Sequence, residues 1–145
     1  MRQRAICPCL ILALWCTAAW AEANHLRDVD VTRALYEAGK FSEALTKAHE
    51  ILKHEDLHEP SRIELLRTAG LCAFHLNDLK GSERFFLEVL KRNPDYVIDP
   101  FAAPPSAVKL FEHTRSLYAD ELNLVRQELA LKGEQDRRMA LVREQ

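Results

Sequence analysis

Apolar residues recur at intervals of three and four along two stretches of this chain, the period of a helix that buries one face. The first stretch carries Leu35, Tyr36, Phe41, Ala44, Ala48, Ile51 and Leu52; the second carries Ala73, Phe74, Leu79, Ser82, Phe86, Val89 and Leu90. Each position of the first is matched by one 38 residues later in the second. Both stretches are interrupted where a chain reversal would fall. Gly39 and Asn77 tolerate the left-handed backbone that ends a helix, so each stretch is expected to fold as two antiparallel helices. Ser42 is expected to cap the helix after the first turn, with Glu43 favourable in its opening turn. Asn93-Pro94 closes the second unit, because proline disfavours helix in the residue before it. The pattern thus predicts an all-α fold with hairpins at about 26–56 and 61–94.

The pattern changes after the second hairpin. Segment 95–105 contains Pro100, Pro104 and Pro105, which forbid a regular helix and favour extended backbone. It also contains Tyr96, Val97, Ile98 and Phe101, too apolar for a free linker, so it is expected to pack along the hairpins. Helical spacing returns at Ser106, a good N-cap, and predicts one long helix over 106–131. One stripe of it runs through Val108, Phe111, Tyr118, Leu122, Val125 and Leu129, a second through Leu110, Leu117, Leu124 and Leu131. Arg115 interrupts the heptad stripe, and Lys132 and Asp136 end it. Val108 and Phe111 stand 38 positions after Gly70 and Ala73, so this helix fits the first-helix place of an incomplete third unit and would cover the open end of the array. Residues 132–145 read as a charged helical tail weakened by Gly133.

The residues Leu66, Ala69-Gly70, Ala73-Phe74, Leu79, Ser82, Phe86, Val89 and Pro94 resemble the tetratricopeptide repeat (TPR). That resemblance implies a small residue and a glycine on the first helix of each unit, receiving large side chains of the second, with proline closing the unit. Gly70, Phe74 and Pro94 stand at the family's spacings, whereas Ser82 replaces the usual alanine and Asn77 the usual turn glycine. The earlier segment matches through Tyr36, Gly39, Phe41 and Ala44. It has Val31-Thr32 in place of the small-glycine pair and Asp56 in place of proline, with four extra residues around 56–60. The resemblance covers roughly residues 27–95 and implies a surface that binds a protein or peptide. Its candidate lining positions on the first helices are Arg33, Glu37, Arg67 and His75.

Composition places the chain without altering that picture. Leu and Ala are abundant, while Gly occurs four times and Pro six, as suits helices with few interior breakers. The net charge of −2, with basic residues scattered, gives no basic face for nucleic acid. The N-terminus differs from the rest: Arg2 and Arg4, an apolar run over 5–15, then Ala19-Trp20-Ala21. That order of charge, apolar core and A-x-A site is a secretory signal peptide, so cleavage is expected after Ala21 with export, in a bacterium to the periplasm. Cys16 follows Trp15, which argues against lipidation. Loss of Arg2 and Arg4 from the 20 basic residues leaves 18 against 22 acidic. Only Cys72 of the four cysteines would remain, expected to be a small buried hydrophobe. No later apolar run reaches the roughly 18 residues of a membrane span.

One motif offers chemistry. His54-Glu55-Asp56-Leu57-His58 is a literal H-E-x-x-H, which on a continuous helix aligns two histidines for zinc and leaves the glutamate to activate water. Pro60 follows closely, Lys53 and Glu59 flank it with charge, and no third ligand is evident, so His54 and His58 are only weak metal candidates. No phosphate-binding glycine loop, nucleophile elbow or dinucleotide signature occurs, and no cofactor is expected. The sequence is therefore read as a non-catalytic, exported protein-binding module. A zinc-dependent hydrolase using His54, Glu55 and His58, and a homo-oligomer formed through 106–131, stand as alternatives.

Overall fold

The computed structural model describes residues 27–143; the leader read at 1–21 lies outside the described residues. Among them the chain is all-α, without strands. Helix α1 covers 27–37, followed by α2 (Phe41–Leu52), α3 (Glu59–His75), α4 (Leu79–Arg92), α5 (Pro105–Leu117) and α6 (Ala119–Arg143). Helix α3 packs against both α2 and α4, and α4 packs in turn against α5 and α6.

The reversals after α1 and α3 use one device. Gly39 (φ 75°) and Asn77 (φ 62°) both adopt left-handed backbone. The N–H groups of Gly39 and Lys40 bond back to Tyr36 O and Leu35 O, each at 2.9 Å. Those of Asn77 and Asp78 bond to Phe74 O (3.0 Å) and Ala73 O (2.9 Å). Both turns are Schellman motifs that satisfy otherwise orphaned carbonyls, and every participating atom recurs 38 positions on.

Several expected boundaries move. Helix α2 begins at Phe41 with Lys40 as its N-cap, so Ser42 lies inside the first turn; its carbonyl accepts a bond from Thr46 Oγ1 at 3.0 Å. Proline displaces serine in the same way at α5: Pro104 is the N-cap, and Pro105 supplies the fixed φ that suits the first helical position, leaving Ser106 one residue inside. The side chain that does cap a helix is Asp78, whose Oδ1 accepts from Gly81 N at 2.9 Å at the start of α4. A Cβ at position 81 would stand in contact with that carboxylate, which explains the glycine there.

The single helix expected over 106–131 is two. Tyr118, with φ −105° and ψ 22°, separates α5 from α6. Its hydroxyl reaches Glu83 Oε1 on α4 at 3.4 Å, while Leu122, one turn on, is buried against the core. The departure from helix at Tyr118 falls where both side chains engage the body. Helix α6 then continues through Gly133 to Arg143.

Segment 93–104 is not helical, and only part of it packs. Ile98 is buried and Tyr96 half-buried, but Val97 is exposed and Phe101 is 98% exposed, contrary to the expectation that all four pack. The backbone turns at Asp99, whose Oδ1 accepts from Phe101 N at 2.9 Å, and this carries the Phe101 ring away from the hairpins. Arg115 of α5 fastens the segment by donating to Pro94 O and Tyr96 O, with its guanidinium 5.3 Å from the Phe111 ring centre.

The core explains the small residues. Ala44, Ala48, Ala69 and Ser82 are all fully buried. A Cβ at Gly70 would lie 2.5 Å from Phe86 Cε1 and 2.7 Å from Cδ1, so the Phe86 ring occupies the space that a side chain would take. Ser82 Oγ donates to Gly70 O at 2.8 Å, which accounts for serine where the resembled family carries alanine. Phe86 continues into the far end of the molecule, with its ring centre 5.3 Å from that of Phe111 at 78°. Tyr36 and Phe74 are half-buried beside this core, and Pro94 is buried at its edge. Among the described residues no helix is long and apolar enough to cross a membrane.

Cys72 of α3 is fully buried, and that burial pushes its thiol up to about 11. At pH 8 only about 0.1% would be thiolate, and that fraction has no access to solvent. A chain beginning at Glu22, in which Cys72 is the one cysteine, is expected to resist alkylation when folded and to label stoichiometrically in denaturant. Immediate labelling of the folded protein would contradict this packing.

Candidate protein-binding face

Arg33, Glu37, Arg67 and His75 come from α1 and α3, the first helices of the two hairpins, and the structure links two of them, Arg33 and Arg67, through Glu64. Glu64 and Arg67 stand three apart on α3 and therefore share a face. Arg67 Nε donates to Glu64 Oε2 at 3.0 Å and its terminal nitrogen to Oε1 at 2.5 Å. From α1, Arg33 Nε donates to the same Glu64 Oε1 at 3.3 Å, and its other arm reaches Asp30 at 3.4 Å. One carboxylate thus ties the two helices through two guanidiniums. The Arg67 side chain is 15% exposed and that of Arg33 44%, so Arg33 is the outer member.

The electrostatics follow from this geometry. Burial pushes the Glu64 carboxyl upward, but the hydrogen bonds and charge of Arg67, joined by Arg33, outweigh it and hold the carboxyl below its usual range. Arg67 is correspondingly held more firmly protonated against its own burial. Two phenols adjoin Arg67. Burial raises the Tyr36 and Tyr96 hydroxyls in pKa, and in both the nearby Arg67 charge works in the opposite sense. Tyr36 comes from α1 and Tyr96 from the segment after α4, so the face draws on three parts of the chain.

His75 belongs to the adjoining end of this surface. Its ring stacks on Phe41 with centres 4.1 Å apart and planes 1° from parallel, and Tyr36 lies 5.9 Å away. Tyr36 also touches Phe41 at 5.7 Å, so it joins the arginine cluster to the His75 stack. Glu37 is exposed beside the Gly39 turn, and no contact places it in either group. Sequence reasoning missed Glu64, Phe41 and Tyr96 as members of this face. Only the i, i+3 spacing of Glu64 and Arg67 was a local signal for any of them.

The H-E-x-x-H residues lack the helix that the zinc reading requires. Residues 53–58 form the loop between α2 and α3, and His58 is the N-cap of α3 with extended backbone (φ −56°, ψ 137°). Leu57 is buried against Ile51 and Leu65 and pins the loop down. Arg62 completes the anchorage, donating to Leu52 O at 3.1 Å and His54 O at 2.6 Å. Its guanidinium satisfies carbonyls that the end of α2 leaves open. His54 and His58 therefore occupy opposite ends of a loop rather than one helical face. Among the described residues no group of three His, Cys, Asp or Glu side chains is placed to hold a metal ion.

Comparison with family models, with curated proteins and with solved structures returned no match for this chain.

Proposed function

We propose that this protein is a non-catalytic adaptor of the cell envelope, exported by its leader, whose TPR-like hairpins hold a protein or peptide partner on the face formed by α1 and α3. The observation that carries the reading is the cluster of Arg33, Glu64 and Arg67 flanked by Tyr36 and Tyr96. Arginine and tyrosine combine apolar contact area with hydrogen-bonding groups and are the residues most enriched where binding energy concentrates. Each guanidinium carries five N–H donors, more than the Glu64 carboxylate can absorb, so donors remain for a partner's carbonyls or carboxylates. Neither phenol donates a hydrogen bond to another described residue, which leaves both hydroxyls for the same use.

The test is a pull-down from envelope extract with the mature chain, beside Arg33→Glu and Tyr36→Ala variants and a His49→Ala control on α2. The expected result is a partner captured reproducibly by the wild type and the control, and weakened at least tenfold by both variants. Identical capture by all four proteins would remove the support for this face. Mass measurement of the protein from the periplasmic fraction checks the export reading, with Glu22 expected as the first residue.

A further inference from the structure

Helix α6 leaves the body of the protein at a break in the helical ladder. Tyr118 N–H reaches Thr114 O at 3.1 Å, which ends α5, and Leu122 N–H reaches Tyr118 O at 3.0 Å, which opens α6. Between the two, Tyr118 departs from helical backbone with φ −105° and ψ 22°. A single residue where two elements join is enough to absorb a change of direction between them.

The contacts that dock α6 all fall near its start. Leu122 is its one buried side chain and joins the core cluster that holds Leu90 of α4 and Phe111 of α5; Val125 is half-buried. Glu121 Oε1 meets Lys91 Nζ at 3.0 Å, and Arg126 Nη2 meets Asp95 Oδ1 at 3.0 Å. Both are ion pairs between exposed side chains, which hold weakly and are screened by salt. From Gln127 to Arg143 no described side chain is buried, and the Arg138–Glu134 pair lies within the helix itself. About 25 Å of helix, at 1.5 Å per residue, therefore projects beyond the last anchor. With 25 residues in all, α6 exceeds the roughly 12–15 at which isolated helices are marginal, so it can keep its shape when the anchors let go.

We propose that α6 is a hinged strap, swinging as one helix about Tyr118 between a docked state and a released state that uncovers the apolar seat of Leu122 on α4 and α5. The released state is the minor one. Whatever displaces Leu122 or weakens the two ion pairs raises its population. This inference rests on α6 and is independent of the α1–α3 face, so either can fail without the other.

Pulsed electron paramagnetic resonance between two spin labels reads the swing. In a chain beginning at Glu22 the labels attach at introduced cysteines alone, since Cys72 is buried. Arg84→Cys on α4 with Gln135→Cys on α6, both exposed, is expected to give one dominant, narrow distance. Leu122→Ala is expected to raise a second, broader component roughly tenfold or more. The double variant Asp95→Asn/Glu121→Gln, which alters exposed side chains alone, should raise it roughly threefold. A pair within α6, Gln127→Cys with Ala140→Cys, is expected to keep one narrow distance in every variant. An α4-to-α6 distance that neither variant changes would overturn the proposal. So would broadening of the pair within α6, because the helix would then be melting in place of swinging.

Discussion

Truncating Phe86 to alanine is expected to cost about 3–5 kcal/mol of unfolding free energy, the range for removing a fully buried aromatic side chain. Phe86 has no solvent exposure and stands at the junction of both hairpin and terminal packing, with the Gly70 backbone on one side and the Phe111 ring on the other. A hole at this point cannot close cheaply. Gly70 has no side chain to move into it, and Ser82 is held to Gly70 O by a hydrogen bond. A small domain is stable by only about 5–15 kcal/mol, so the variant should lose roughly 10–20 °C of its melting temperature or fail to fold. Thermal unfolding followed by circular dichroism reads the effect. A loss below about 1 kcal/mol would mean that the ring does not fill the space assigned to it.

Phe111→Ala should cost a similar amount, about 3–5 kcal/mol, for a different structural reason. Phe111 is the fully buried anchor by which α5 covers the end of α4, and it also meets Tyr96 at 6.2 Å and supports the Arg115 guanidinium. Arg115 in turn holds Pro94 and Tyr96 by their carbonyls. Loss of the ring should therefore loosen segment 93–104 as well as α5, and amide exchange should rise first at Tyr96 and Ile98. Faster exchange confined to α1 and α2 would contradict the role given to this residue.

Much of this architecture was legible because its determinants are local. Gly39 and Asn77 announced their turns because few residues accept a positive φ. The packing of small Gly70 and Ser82 against large Phe86 was what the resemblance to the tetratricopeptide repeat implied. What escaped was decided by partners distant in sequence. Arg62 reaches a carbonyl ten positions back, and Glu64, whose spacing to Arg67 is local, also meets an arginine 31 positions away, a contact with no local signature. Ser42 and Ser106 were plausible caps by residue type, but the phenylalanine that opens α2 and the proline that opens α5 fix the helix starts before them. Tyr118 looked like one more member of an unbroken stripe because periodicity records which residues turn inward, not how far each must reach. Phe101 misled for the complementary reason: an apolar side chain is no guarantee of burial when an aspartate turn directs it outward.

The most direct measurement is a double-mutant cycle between Gly70→Ala and Phe86→Leu by denaturant unfolding. Alanine inside a helix is favoured over glycine by about 1 kcal/mol, but the overpacking expected against the Phe86 ring costs about 1–3 kcal/mol. Gly70→Ala should therefore destabilise the wild type and become neutral or stabilising once Phe86→Leu removes the ring. If the substitution has the same effect in both backgrounds, within about 0.5 kcal/mol, the two helices do not interlock at this glycine.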